Sequence, residues 1–429
     1  HSSGDPDFAL NVTGDMLVEV GGSVEANGKG YSADSGPGRG SAYSLQDNAG
    51  AGGGGYGGAG GSAWAAGGNV YGSINVPDDL GSGGGHCDGV WGRRAHGGAG
   101  GGVLYVAVNG LLTLNGTIST NGLAGHRGSY SSWRWAGGGG SGGSIHLDVG
   151  TLTGAGVISA DGGNGGYTDR AGGGGGGRIA LYSDSDMFSG SLRAVGGDGR
   201  EDGGAGTIYR KSSSQPYGEL LLDNGGRSGA VTPLLEGAHL FDEVSILNEG
   251  ILQIGTGVEL QTGSEEIVVG SDGRLIVQDG GMVTLQRFAL VGGGTCYLDD
   301  GGQLAASELE ILDGGTFFLN TSLTVPEVRI SSGGILTHSS GDPDFALNVT
   351  GDMLVAEGGA VVADGTGHSA GAGSGASSDV NSGLDKRGAG GAGHGGQGGG
   401  AWSSGGSPYG MVVVPEWLGS GGGRCIPNA

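Results

Sequence analysis

The chain has 429 residues, 111 of them glycine, and 19 Lys+Arg against 43 Asp+Glu give a net charge of −24. Charged residues are only 14% and apolar residues recur in clusters, which excludes a highly charged disordered chain. Ten prolines without a G-X-Y period exclude collagen, no apolar run approaches the ~18 residues of a membrane span, and so acidic a surface disfavours nucleic acid as a partner.

The chain restarts. Residues 1–18 read HSSGDPDFALNVTGDMLV, and 338–355 read the same letters. The match decays afterwards, but INVPDDLGSGGGHC (74–87) still meets VVVPEWLGSGGGRC (412–425). A near-identical restart after 337 residues predicts a segment of a longer tandem array. Three parts follow: 1–207, rich in glycine; 208–337, with a regular short period; and 338–429, the start of the next unit, matching 1–91.

In the first part, strands are predicted within 103–122, 144–163 and 178–197, where Leu104, Val106, Ile145, Leu147, Ile179 and Leu181 alternate with outward positions. Between them run glycine-rich excursions, about 31–100, 123–142, 163–176 and 198–206. Loops that long are unusual in compact domains unless they pack on one another. Glycine segments approach closely in extended helices of three residues per turn; mobile Gly/Ser linkers are the alternative. Tyr56, Trp64, Trp91, Trp133 and Trp135 lie inside the excursions. They favour packing, and they are also the candidate aromatics for stacking on a glycan, a cell surface or ice.

Residues 208–240 are the least regular, with Leu220 and Leu222 suggesting one more strand. Beyond them Gly250, Gly273, Gly294, Gly315, Gly334 and Gly351 recur at spacings of 23, 21, 21, 19 and 17. Six positions before each stand Val244, Ile267, Phe288, Leu309, Val328 and Phe345; two after stand Leu252, Leu275, Cys296, Phe317, Leu336 and Met353. A third short strand follows in most turns, for example Val258 with Leu260 and Leu323 with Val325. No window holds a 3.6-residue period, so helix is excluded. The expected fold is all-β: a parallel, right-handed β-helix (β-solenoid), three strands per coil, with the excursions leaving from one corner and one continuous core. About ten coils at ~4.8 Å would advance ~48 Å per unit.

Chemistry is sparse. Asp299-Asp300 before Gly301-Gly302 sits at a corner where Asp is a routine turn former. GGDGREDGG (196–204), with Asp198 and Asp202, resembles the calcium-binding RTX nonapeptide, although its acidic residue falls late and the apolar position is missing. Asp198, Asp202, Asp299 and Asp300 are therefore the weak calcium candidates, set against a solvated acidic surface that keeps a rod soluble; no other cofactor is expected and no catalytic residue is assigned. Cys296 is expected in the core. Cys87 and Cys425 fall in equivalent loops about 48 Å apart, too far to pair within the chain.

With tracts such as AGGGGGGRIALYSD (171–184), the chain resembles the very long, repetitive β-helical surface and secreted proteins of bacteria. Its excursions resemble the polyglycine-II bundles of some tail-tip adhesins and antifreeze proteins. The resemblance implies a non-enzymatic structural role as an extracellular fibre, stalk or giant surface adhesin whose partners are copies of itself. A glycan-, cell-surface- or ice-binding module is the alternative. A polysaccharide-active enzyme is the remaining one, since parallel β-helices include pectin-degrading enzymes.

Overall fold

A computed structural model describes residues 9–44, 49–89, 92–130, 133–263, 266–339, 345–382, 389–401, 403–409 and 418–427. Among these residues there is no α-helix; the protein is all-β and its sheets are mostly parallel.

Among the described residues one sheet of 13 strands takes in strands from Ala9 to Val355. It starts with Ala9–Val12 and Met16–Val18, both on the long strand Val103–Leu114. It then takes Ser144–Gly154, Arg178–Phe188, Thr207–Ser212, Glu219–Asp223 and Glu243–Leu247. Glu266–Val269, Arg287–Leu290, Glu308–Ile311, Glu327–Ile330 and Met353–Val355 complete it. A seven-stranded sheet from Thr232–Pro233 to Ala360–Val361 and a four-stranded sheet from Gly237–Phe241 to Gln303–Ala305 accompany its second half. From residue 243 to 305, consecutive strands fall in these three sheets in turn.

Apolar residues meet like residues across these ladders. Ile267 lies opposite Phe288, Phe288 opposite Leu309 and Leu309 opposite Val328. Leu275, Cys296, Phe317 and Leu336 form a second in-register row. Each side chain in both rows is almost wholly buried. Asn248, Glu249, Ser271, Asp272, Asp313 and Ser332 turn the corners at positive φ, a conformation Asn, Asp and glycine tolerate best.

One expected column shifts. Val328 pairs with Met353 rather than with the segment at Phe345, and Leu323 pairs with Leu347. Every strand here has the same apolar alternation, so a slip by one strand leaves the sequence pattern intact.

The single expected core is corrected: among the described residues two apolar clusters line the long sheet, and a third, around Trp135, lies in the excursions. The long sheet turns antiparallel once, where Ile208 lies opposite Leu221 and Tyr209 opposite Leu220. Ile208 joins a cluster with Leu104, Val106, Ile145, Leu147, Ile179 and Leu181. Tyr209 and Leu220 join a cluster with Val244, Ile267, Phe288 and Leu309. Neighbouring strand residues point to opposite faces, so the two cores lie on opposite faces of one sheet. Alternation reveals that one face is buried, not which one, and the hairpin exchanges them.

Candidate functional site

The excursions bond to one another through their backbones. Gly137, Gly140 and Gly143 donate to the carbonyls of His126, Leu123 and Thr120; Gly138 and Ser141 to Gly85 and Ser82; Gly139 and Gly142 to Gly172 and Gly175. All seven bonds span 2.8–3.0 Å. Every third residue addresses the same neighbour, the geometry of an extended helix with three residues per turn. Residues 172–177 repeat the pattern toward Ala51 and Gly54, Glu201 and Gly204, and Gly163 and Ala160. Glycine is required here by close approach. A Cβ on Gly139 would lie 1.8 Å from the Gly163 carbonyl oxygen, and one on Gly172 1.8 Å from that of Gly61. These segments are ordered layers, not free linkers.

That layer decides the fate of the candidate aromatics. Tyr56 and Trp135 are buried, at 0% and 3% exposure, so neither can serve as a surface platform. Burial lifts the Tyr56 hydroxyl far above its usual value; that hydroxyl pairs with Ser144 Oγ at 2.6 Å. Trp135 packs with Ala49, Ala51, Cys87 and Ala95, and Trp133 lies half-buried against them. Trp64 is exposed, but the Arg200 guanidinium covers its ring at 4.1 Å. Trp91 lies outside the described residues.

Asp198 and Asp202 come within side-chain hydrogen-bond reach of each other, whereas Asp299 and Asp300 lie far along the chain. Asp202 accepts the Gly199 N–H at 2.8 Å, and burial raises its pKa. Asp198 lies 3.9 Å from Arg227 Nη1. Asp299, far along the chain, accepts from Asn320 Nδ2 at 3.0 Å, and the neighbouring Asp300 is exposed at its corner. Among the described residues no group of three His, Cys, Asp or Glu side chains is placed to hold a metal ion. Cys87 and Cys296 are free and buried. Burial pushes the Cys87 thiol up to about 11.

Sequence reasoning missed Arg178, which is 2% exposed. Its Nε and Nη2 donate to the Tyr71 carbonyl at 3.0 and 2.8 Å, and Nη1 donates to Thr207 Oγ1 at 3.0 Å. It clamps the first excursion to the long sheet. Its row neighbours are Val103, Ser144 and Thr207, a series that gives no hint of a buried cation.

The repeated segment supplies the remaining candidate surface. Its first copy lies at one end of the long sheet and its second at the other. In the first copy Met16 and Val18 pair with Leu112 and Leu114, and Val18 is 6% exposed. In the second copy Met353 and Val355 pair instead with Val328 and Ile330, and Val355 is 45% exposed. The same residues thus meet a different neighbour on each side, and each copy leaves one edge unpaired among the described residues.

Comparison with protein-family models, with curated proteins and with solved structures finds no match to this chain.

Proposed function

We propose that this chain is a stretch of a structural fibre: a tandem β-solenoid with three strands per coil in its second half, extended by repetition into an extracellular fibre, stalk or surface adhesin. The observation that carries the reading is the pair of environments around one segment. The first copy accepts a following coil on Leu112 and Leu114; the second sits on a preceding coil at Val328 and Ile330. Superposing the two copies gives a segment covered on both sides, with no free edge.

The hairpin at 207–223 is compatible with this winding. Across it both the strand direction and the buried face reverse. Two reversals leave unchanged the sense in which a chain circles its core, so a solenoid of one hand passes through by stepping sideways onto a second axis. The extracellular setting rests on the resemblance to giant bacterial β-helical proteins.

The long sheet takes eleven steps from the first copy to the second, so at ~4.8 Å per step a unit advances ~53 Å. The test is a series of arrays in which residues 1–337 are repeated once, twice and three times ahead of 338–429. Electron micrographs should show rods lengthening by that increment per unit. Separate beads or globules of constant length would overturn the reading.

A further inference from the structure

The geometry points to a binding ledge for a neutral glycan on the outer face of the first half, at the step where the core changes sides. This site is independent of the fibre reading. It also differs from the described loop aromatics, which are buried, half-buried or covered by a neighbouring side chain.

Three features define it. First, the step makes a concave corner: a groove of about 410 Å³ crosses four parallel strands and ends against the start of the hairpin, at Lys211, Ser212 and Ser213. That volume falls at the small end of the range for ligand sites, ~300–1,000 Å³, and suits one or two sugar rings. Second, side chains at successive rungs alternate in chemistry. Asp148 lies opposite Tyr182, and Tyr182 opposite Lys211. In the next outward row Asp184 lies beside Gly150, where a Cβ would stand 2.5 Å from the Asn109 carbonyl oxygen, so closely packed backbone forms the floor. Third, the Tyr182 wall is fixed: its hydroxyl donates to the Asn75 carbonyl at 2.9 Å, and its ring stacks on His146 at 5.2 Å and meets the Tyr209 ring edge-on at 5.7 Å.

Two carboxylates that accept, and the two protons that Lys211 Nζ keeps after donating one to the Pro216 carbonyl at 2.8 Å, match the vicinal hydroxyls of a pyranose, with Tyr182 against the apolar C–H edge. Asp148 and Asp184 both line the groove and are exposed. They, with a net charge of −24, disfavour uronic acids and select neutral sugars.

The test uses saturation-transfer difference NMR on the full chain. The probes are lactose, cellobiose, maltose and diacetylchitobiose at about 5 mM, a concentration that detects weak sugar affinities, with digalacturonate as the charged control. At least one neutral disaccharide should bind, and Asp148→Ala and Asp184→Ala should each weaken it about tenfold. Both residues are exposed, so the variants should keep the wild-type far-UV spectrum and melting midpoint. Tyr182→Ala should abolish binding, but Tyr182 also holds Asn75, so the carboxylate variants carry the test. Absence of binding by all four neutral probes would overturn the inference. So would binding indifferent to both Asp variants, or stronger binding of digalacturonate.

Discussion

The glycine layer at 123–206 and the side-chain core at 243–336 reach the same end by opposite means. In the core, stacked rows such as Ile267, Phe288 and Leu309 exclude water with apolar side chains. In the layer, side chains are absent, and backbone N–H and C=O groups three residues apart bind three neighbours in rotation. Burial in this protein therefore has two sources. One is apolar area; the other is a backbone packed too closely to admit a methyl group.

The core should be most sensitive to truncation. Phe288→Ala empties a fully buried position whose ring meets Phe317 edge-on at a centroid distance of 6.1 Å. A loss of ~3–5 kcal/mol is expected. Hydrogen exchange should quicken from about 267 to 319 while the glycine layer keeps its protection. A loss shared equally by both regions would mean that they unfold as one unit.

The layer should respond to addition. Gly139→Ala places a methyl group against the Gly163 carbonyl, and overpacking of this kind costs ~1–3 kcal/mol or more. Exchange should quicken in 123–143 and 163–175, leaving 267–319 unaffected. Gly255→Ala is the matched control, because its Cβ would meet nothing within 4 Å. A harmless Gly139→Ala would show that the glycines are there for flexibility, contrary to the close-approach argument.

How much of this was legible follows from the same contrast. The rows through Phe288 and Cys296 could be read because period-2 alternation reports a buried face directly. The glycine layer was legible only as two alternatives. Composition does not state which carbonyl an N–H will find, and the threefold rotation of partners exists only once segments as distant in sequence as those of Ala51 and Gly172 are side by side. Ile208 and Tyr209 illustrate a different gap: both are apolar, so the sequence cannot reveal that they serve separate cores. Arg178 and the ledge at Asp148 were invisible because their partners come from other rungs.

The two copies of the repeated segment allow a finer test. Val18→Ala removes buried methyl groups and should cost ~1–2 kcal/mol, whereas Val355→Ala at the open end should cost within ~0.5 kcal/mol. In an array with a further unit appended, the second position gains a covering coil, and the two costs should converge. Persistent inequality in the longer array would mean that the next unit does not stack on Val355, and the tandem reading would fail with it.

The smallest effect concerns the boundary between the regions. His146 lies on the outer face of the first half, between Tyr105 and Tyr182, with Asp148 and Asp78 as its nearby charges. Burial lowers its pKa, outweighing the attraction of the two carboxylates. A histidine held neutral in the folded state is not penalised above its unfolded value of 6.5. As pH falls through that value the unfolded chain takes a proton that the folded chain resists, so stability declines until the depressed folded pKa is reached. Comparing melting midpoints at about pH 7.5 and 5.5, His146→Gln should show a smaller acid-side decline than the wild type. A larger decline in the variant would mean that Asp148 and Asp78 dominate, and that this face is wetter than its ring contacts imply.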